Sequence, residues 1–159
     1  MTAREVQKTI STQTSMWLAD MDSTMITCEC IDELADFAGV KAEVSAVTER
    51  AMRGELDFAE ALTARVATLA GLADGVLARA FGERVRLMPG ARTLVATMRS
   101  QGARAVLVSG GFTYFTARVA ALCGFDDHRA NVLEIEDGRL TGRVVPPILG
   151  ADAKVEALD

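Results

Sequence analysis

Met16-Trp17-Leu18-Ala19-Asp20-Met21-Asp22-Ser23-Thr24 is the stretch whose reading decides the fold. A short apolar run that stops abruptly reads as a buried strand. Here it stops at two carboxylates separated by one residue. In open parallel sheets, ligands bind beyond the carboxyl ends of the strands. The stretch therefore predicts a buried strand that delivers Asp20 and Asp22 to a site.

Beyond it, residues 29–82 change to helical periodicity. Ile31, Leu34 and Ala38 form a stripe that stops at Gly39, and Val44, Val47 and Ala51 form another that stops at Gly54. Asp57 and Glu60 have capping-box spacing ahead of Leu62, Val66 and Leu69, and this third helix stops before Gly71. A fourth spans Asp74 to Phe81. After Pro89-Gly90, Ala91 to Gln101 reads as a helix, and Ala103 to Val108 as a second buried strand ending in Ser109-Gly110-Gly111. Strand, helix, strand predicts a parallel, right-handed crossover. Phe112 to Cys123 is a further helix, closed by Gly124, and Asp126-Asp127-His128-Arg129 reads as a polar loop. Residues 131–135 alternate and meet the turn Asp137-Gly138, after which Leu140 to Val145 returns as a hairpin. A last short helix begins near Asp152. The fold class is α/β, with a helical insertion just after the first strand.

Composition narrows the function classes. The 159 residues suit one compact unit, and no run reaches the ~18 apolar residues of a spanning helix. Residues 1–14 are polar and lack the apolar core of a secretion signal, so the cytoplasm is the expected location. A net charge of −5 gives no basic footprint for nucleic acid or acidic membranes. A small soluble partner is expected instead. Cys28 and Cys30 lie close together, but no second Cys or His cluster completes a zinc site, so they read as small thiols. His128 is the only histidine. Any acid, base or nucleophile is thus expected to be a carboxylate.

Asp20 and Asp22 would share a face in a continuing strand, and in a loop both can converge on one ligand. Close carboxylates repel unless a cation or proton separates them. Mg²⁺ suits them, taking one or two carboxylates plus substrate phosphate; equally, Asp-Met-Asp-Ser could cap the next helix. Ser109-Gly110-Gly111 precedes a helix, where a hydroxyl and backbone N–H groups can hold phosphate oxygens, or where the turn simply needs glycine. Lys154, one of three lysines, reads alone as a surface charge. Together these are the parts of a phosphoryl-transfer site: nucleophile, metal, oxygen clamps and positive charge.

Taken in order, the motifs resemble those of the haloacid dehalogenase superfamily. Residues 17–24 are similar to its first motif, Val106-Leu107-Val108-Ser109-Gly110-Gly111-Phe112 to its second, and Lys154 in Gly150-Ala151-Asp152-Ala153-Lys154 to its third. The insertion, from Asp22-Ser23-Thr24 through Glu29 and from Met52-Arg53-Gly54-Glu55-Leu56-Asp57-Phe58 to Arg65, resembles the phosphoserine phosphatase branch. The resemblance implies a Rossmann-like core of residues 15–28 and 83–159, a helical-bundle cap of residues 29–82, and an N-terminal extension of residues 1–14. It implies Asp20 as nucleophile, Asp22 as general acid and base, and Mg²⁺ on the Asp20 carboxylate and the Asp22 carbonyl. Ser109, Gly110 and Lys154 would hold the phosphoryl group, and Glu29 and Arg65 the ammonium and carboxylate of O-phospho-L-serine. Met52 and Phe58 would form an apolar wall that excludes water.

The superfamily's fourth motif, an acidic G-D-G-x-N-D segment that completes the metal site, does not occur before Asp159. The expectation is a piece of a longer protein, lacking the C-terminal core strands, with an open edge beside the first strand that invites a chain-to-chain contact. A lone chain would have severely reduced activity. Two other readings remain: a related phosphotransferase acting on another small phosphate ester, or an impaired remnant that binds phosphate or a partner chain.

Overall fold

A computed structural model describes residues 15–156; the expectation for residues 1–14 lies outside them. In chain order the elements are β1 (Met16–Ala19), α1 (Cys30–Ala38), α2 (Lys41–Met52), α3 (Phe58–Ala67), α4 (Gly75–Arg84), α5 (Ala91–Ser100), β2 (Arg104–Phe112), α6 (Thr113–Cys123), β3 (Asp127–Glu136), β4 (Arg139–Val145) and α7 (Asp152–Glu156). The sheet has the order β1-β2-β3-β4. Parallel pairing sets Leu18 against Val106 and Leu107 against His128, and β4 returns antiparallel with Glu136 against Arg139. This is the expected α/β architecture, with five helices between the first two strands, the four inserted ones and the crossover helix α5. No helix among the described residues is long and apolar enough to cross a membrane.

Local chemistry explains the element ends. Gly39, at φ 72°, takes the left-handed conformation that closes α1, and the N–H groups of Gly39 and Val40 reach Asp36 O and Ala35 O. Both arms of the capping box at α3 are formed: Asp57 accepts from Glu60 N at 2.8 Å, and Glu60 accepts from Asp57 N at 2.9 Å. Asp137 and Gly138 both have positive φ, 49° and 73°, as a two-residue hairpin turn of the mirror-image kind requires.

Three expectations need correction. β1 is not a buried strand: only Ala19 is buried and Met16 is 40% exposed. Among the described residues β1 is bonded to β2 on one side only, so one side of the strand meets no neighbouring backbone. Residues 127–129 are not a loop but the start of β3, because β2 offers them a parallel partner and that pairing outweighs their weak strand preference. The turn expected at Ser109-Gly110-Gly111 is strand as well: β2 runs on to Phe112, with an irregularity in its pairing to β3 between Val108 and Phe112.

One apolar cluster holds these layers together. Leu107, Phe112, Phe115 and Val119, from β2 and α6, share it with Leu34, Leu62, Val66 and Leu77 from the inserted helices. All eight side chains are 2% exposed or less.

Asp126 pins β2 to the turn before β3. Its carboxylate accepts the Ala105 N–H at 2.8 Å and pairs with Arg99 at 2.9 Å, while its own N–H donates to Ala105 O at 2.8 Å. The Ala105 N–H, and then Arg99, hold its carboxyl below the usual carboxylate range. A depressed pKa contributes stability that is complete above the unfolded value, about 3.9, and is lost as pH falls through the folded one. Asp126→Asn should therefore melt a few degrees below the parent at neutral pH. The gap should narrow in urea titrations carried below about pH 4, and a constant gap would show that the charge contributes nothing.

Candidate active site

β1 ends one residue before Asp20, so the strand aims this carboxylate out of the carboxyl edge of the sheet. Its Oδ1 accepts the Met21 N–H at 2.8 Å. Its Oδ2 lies 3.0 Å from Lys154 Nζ, brought across by α7. Lys154 thus makes a close contact with the strand end and is not merely solvated.

The chain then folds tightly on itself. Met21 O accepts N–H groups from Thr24, Met25 and Ile26, and Ser23 sits at φ 55°, an uncommon conformation for a residue with a side chain. This turn half-buries Asp22 and encloses its Oδ1, which has no hydrogen-bond partner. Burial, followed by the nearby charge of Glu29, pushes the Asp22 carboxyl up to about 7, although Cys30 at the head of α1 pulls the other way through hydrogen bonds. A carboxyl in this range gives and takes protons near neutrality. Ser23 Oγ donates to Glu29 Oε1 at 2.7 Å and so fixes that side chain beside the turn.

From β2, buried Ser109 accepts the Gly111 N–H on its Oγ at 2.9 Å. Glycine at 110 and 150 lets one aromatic ring approach the backbone closely. A Cβ on Gly110 would meet Phe58 Cζ at 2.8 Å, and one on Gly150 would meet Phe58 Cδ1 at 3.2 Å. The Phe58 ring, at the start of α3, therefore rests against two backbone segments, at Gly110 and at Gly150. A Cβ on Gly111 would lie 3.3 Å from Asp22 Oδ2, so the glycine also makes room for the buried carboxylate.

A cavity of about 180 Å³ joins these parts, lined by Asp20, Asp22, Ser109 and Gly110 on the sheet side and by Glu29, Phe58 and Arg65 on the helical side. Arg65 is anchored through its Nε to Ala61 O at 3.2 Å. Ile31, Leu62 and Phe112 also line the cavity. Sequence reasoning had placed Ile31 and Leu62 in helix stripes without assigning them to the site. Met52 is the exception among the expected residues: it is 82% exposed and does not line the cavity. It is the last residue of α2, and the turn after it, closed by Gly54 at φ 77°, leaves its side chain in solvent. The apolar wall consists instead of Phe58, Ile31 and Leu62.

Among the described residues no group of three or more His, Cys, Asp or Glu side chains gathers as a metal cage. The donors at the end of β1 are nonetheless hard oxygens, including one carboxylate oxygen that is buried and unpartnered. They fit a cation such as Mg²⁺, which completes its shell with water and substrate phosphate.

A mostly parallel sheet that carries two carboxylates at one strand end, near a Ser-Gly-Gly segment and a lysine, defines the class: an α/β protein with its candidate site at the carboxyl edge of the strands. The chain belongs to the haloacid dehalogenase-like hydrolases, whose family model matches residues 17–159. It is 53% identical to a phosphoserine phosphatase of Albidiferax ferrireducens over 127 residues, which is 79% of this chain and 54% of that protein. It is 49% identical to one of Archaeoglobus fulgidus over 140 residues, 88% of this chain and 40% of that protein. The chain thus spans about half the length of the curated relatives it matches. Among solved structures it resembles a substrate-bound phosphoserine phosphatase with TM-score 0.83 and 35% identity, covering 92% of this chain and 69% of that one. A phospho-aspartyl intermediate analogue of phosphoserine phosphatase gives TM-score 0.82 at 35% identity, over 91% of this chain and 68% of that one.

Proposed function

We propose that this chain provides the nucleophile, the phosphate clamp and the substrate-recognition groups of a phosphatase that hydrolyses O-phospho-L-serine to L-serine and phosphate. The observation that carries the proposal is the opposition of charges across one small cavity. Asp20, Ser109 and Gly110 face it from the sheet, with Lys154 Nζ 3.0 Å from Asp20 behind them, and Glu29 and Arg65 face it from the helices. A phosphoserine has a phosphate for the first side and an ammonium and a carboxylate for the second.

In this reading an Asp20 carboxylate oxygen attacks phosphorus in line, and the bond from phosphorus to the serine oxygen breaks. Asp22 gives its proton to the departing oxygen, a role suited to a carboxyl that burial holds near neutrality. Water then attacks phosphorus as Asp22 takes its proton, the bond from phosphorus to the Asp20 oxygen breaks, and phosphate leaves with the Asp20 carboxylate restored. Ser109 and the backbone of Gly110 hold phosphoryl oxygens, and Lys154 offsets their charge. Phe58, Ile31 and Leu62 exclude bulk water from the acyl phosphate. Mg²⁺, when held by the Asp20 carboxylate and the Asp22 backbone carbonyl, would supply further neutralisation of the transferring group. We also assign residues 29–82 as the cap and residues 15–28 and 83–159 as the core, because Glu29 and Arg65 reach the cavity from the inserted helices while every phosphate-facing group comes from the sheet side.

Phosphate release measured on phosphoserine, phosphothreonine and sugar phosphates tests the proposal. Phosphoserine should lead, and equal rates across the panel would overturn the roles of Glu29 and Arg65. Arg65→Ala should lower kcat/KM for phosphoserine by on the order of a hundredfold, through loss of a bidentate, charge-assisted contact. The same variant should scarcely change the rate on phosphoethanolamine, which has no carboxylate.

A further inference from the structure

Asn131 is 1% exposed, stands where β3 runs alongside the end of β2, and does not line the cavity. Both N–H groups and the oxygen of its amide are nevertheless engaged. Its Nδ2 donates to Gly110 O at 2.9 Å and to Leu149 O at 3.0 Å, and its Oδ1 accepts the Leu149 N–H at 2.7 Å. Two carbonyls and one N–H admit only this orientation of the amide. We propose that Asn131 is a positioning residue that sets the phosphate-facing segment 109–111 and the segment leading to Lys154 in register with each other. The proposal rests on the phosphatase reading above and adds to it the group through which the two phosphate-holding segments are coupled.

The first half of the argument is peptide geometry. The peptide unit between Gly110 and Gly111 is planar, with its C=O and N–H pointing in opposite directions. Asn131 holds the C=O on one side, and Ser109 Oγ accepts the N–H on the other. Because that oxygen already accepts from Gly111, its own hydrogen is left to donate outward, which is what a phosphoryl oxygen requires. Two successive glycines have no Cβ to restrain this peptide plane. Without the Asn131 contact the plane is free to turn, and Ser109 loses the bond that orients its hydroxyl.

The second half concerns the lysine. A single amide binds both the N–H and the C=O of Leu149, as a neighbouring strand would. One residue further on, Gly150 O accepts the Ala153 N–H at 3.1 Å and opens the turn that carries Lys154 to Asp20. A buried amide held by three backbone partners is rigid, and its loss leaves those groups unpaired at once. Both segments would then move relative to the nucleophile.

The test uses Asn131→Asp, which preserves shape but leaves the two carbonyls without a donor at neutral pH. Its kcat on phosphoserine should fall by on the order of 10- to 100-fold, the scale of a misplaced reactive group. In a Ser109→Ala background the same change should cost severalfold less than in the parent, only the share that runs through Lys154 remaining, and in an Arg65→Ala background it should cost its full amount. Equal losses in both backgrounds, or a folded variant with parental kcat, would overturn the proposal, since a purely structural asparagine would not single out Ser109. Calorimetric titration with inorganic phosphate separates this outcome from failure of the substrate assignment. Phosphate binding should weaken in Asn131→Asp whichever ester is the substrate, and unchanged phosphate affinity would count against the role of Asn131 alone. If the aspartate variant does not fold, Asn131→Ser, a smaller neutral residue with one donor, passes through the same cycle under the same criteria.

Discussion

Replacing Asp20 with asparagine is expected to reduce phosphate release from phosphoserine by at least on the order of a thousandfold, the scale seen when a covalent nucleophile is removed. The amide has nearly the same shape and can still accept the Met21 N–H that Asp20 now holds at 2.8 Å. It cannot attack phosphorus at a useful rate, and no other carboxylate of the site stands in its place. Asp22 is half-buried in the following turn, with one enclosed oxygen lacking a partner, and Glu29 is occupied by Ser23. Stability should hardly change, because the Asp20–Lys154 pair is a little over two-fifths exposed on each side and such pairs contribute about 0–1 kcal/mol. The variant should therefore melt like the parent and still fail to accumulate acid-stable, hydroxylamine-labile phosphoenzyme in rapid-quench experiments. A variant that kept the parental rate would remove Asp20 from the mechanism.

Gly142→Ala should produce the largest loss of stability available from a single methyl group. Gly142 lies in β4 at φ 84°, and a Cβ there would meet Ala70 Cβ at 2.8 Å and Ala67 O at 3.3 Å. The left-handed conformation costs roughly 1–2 kcal/mol for a residue with a side chain, and displacing the end of α3 adds roughly 1–3 kcal/mol. A combined loss near 3 kcal/mol corresponds to a melting temperature lower by about 10 °C. Gly138→Ala is the matched control. Its φ of 73° imposes a similar backbone penalty, but a Cβ there meets nothing within 4 Å. If the two variants melt together, the close approach of the hairpin to α3 contributes nothing.

Elements bounded by strong local signals were legible in the sequence. The carboxylates at Asp20 and Asp22 end an apolar run, Gly39 and Gly124 close helices in the left-handed conformation, and Asp57 with Glu60 forms a complete capping box. What depended on a distant partner was not legible. Asp127, His128 and Arg129 become strand only because β2 lies alongside them. Met52 looked like part of the wall from its place ahead of Phe58, but helix periodicity says nothing of the turn that leaves it in solvent. Asn131 was visible only as the first residue of an alternating strand. A lone amide at a buried strand position, next to residues with no other polar group, was the available signal. Its partners, Gly110 and Leu149, come together only in the folded chain.

The apolar cluster that joins Leu34, Leu62, Val66 and Leu77 to Leu107, Phe112 and Phe115 bears on how the molecule comes apart. The division into sheet and inserted helices follows chain topology, whereas the packing crosses it. Helices whose buried face is shared with the sheet have no separate interior to retain once the sheet is lost. Unfolding is therefore expected to be a single cooperative event, and residues 29–82 excised from the chain would expose the side chains that hold them in place.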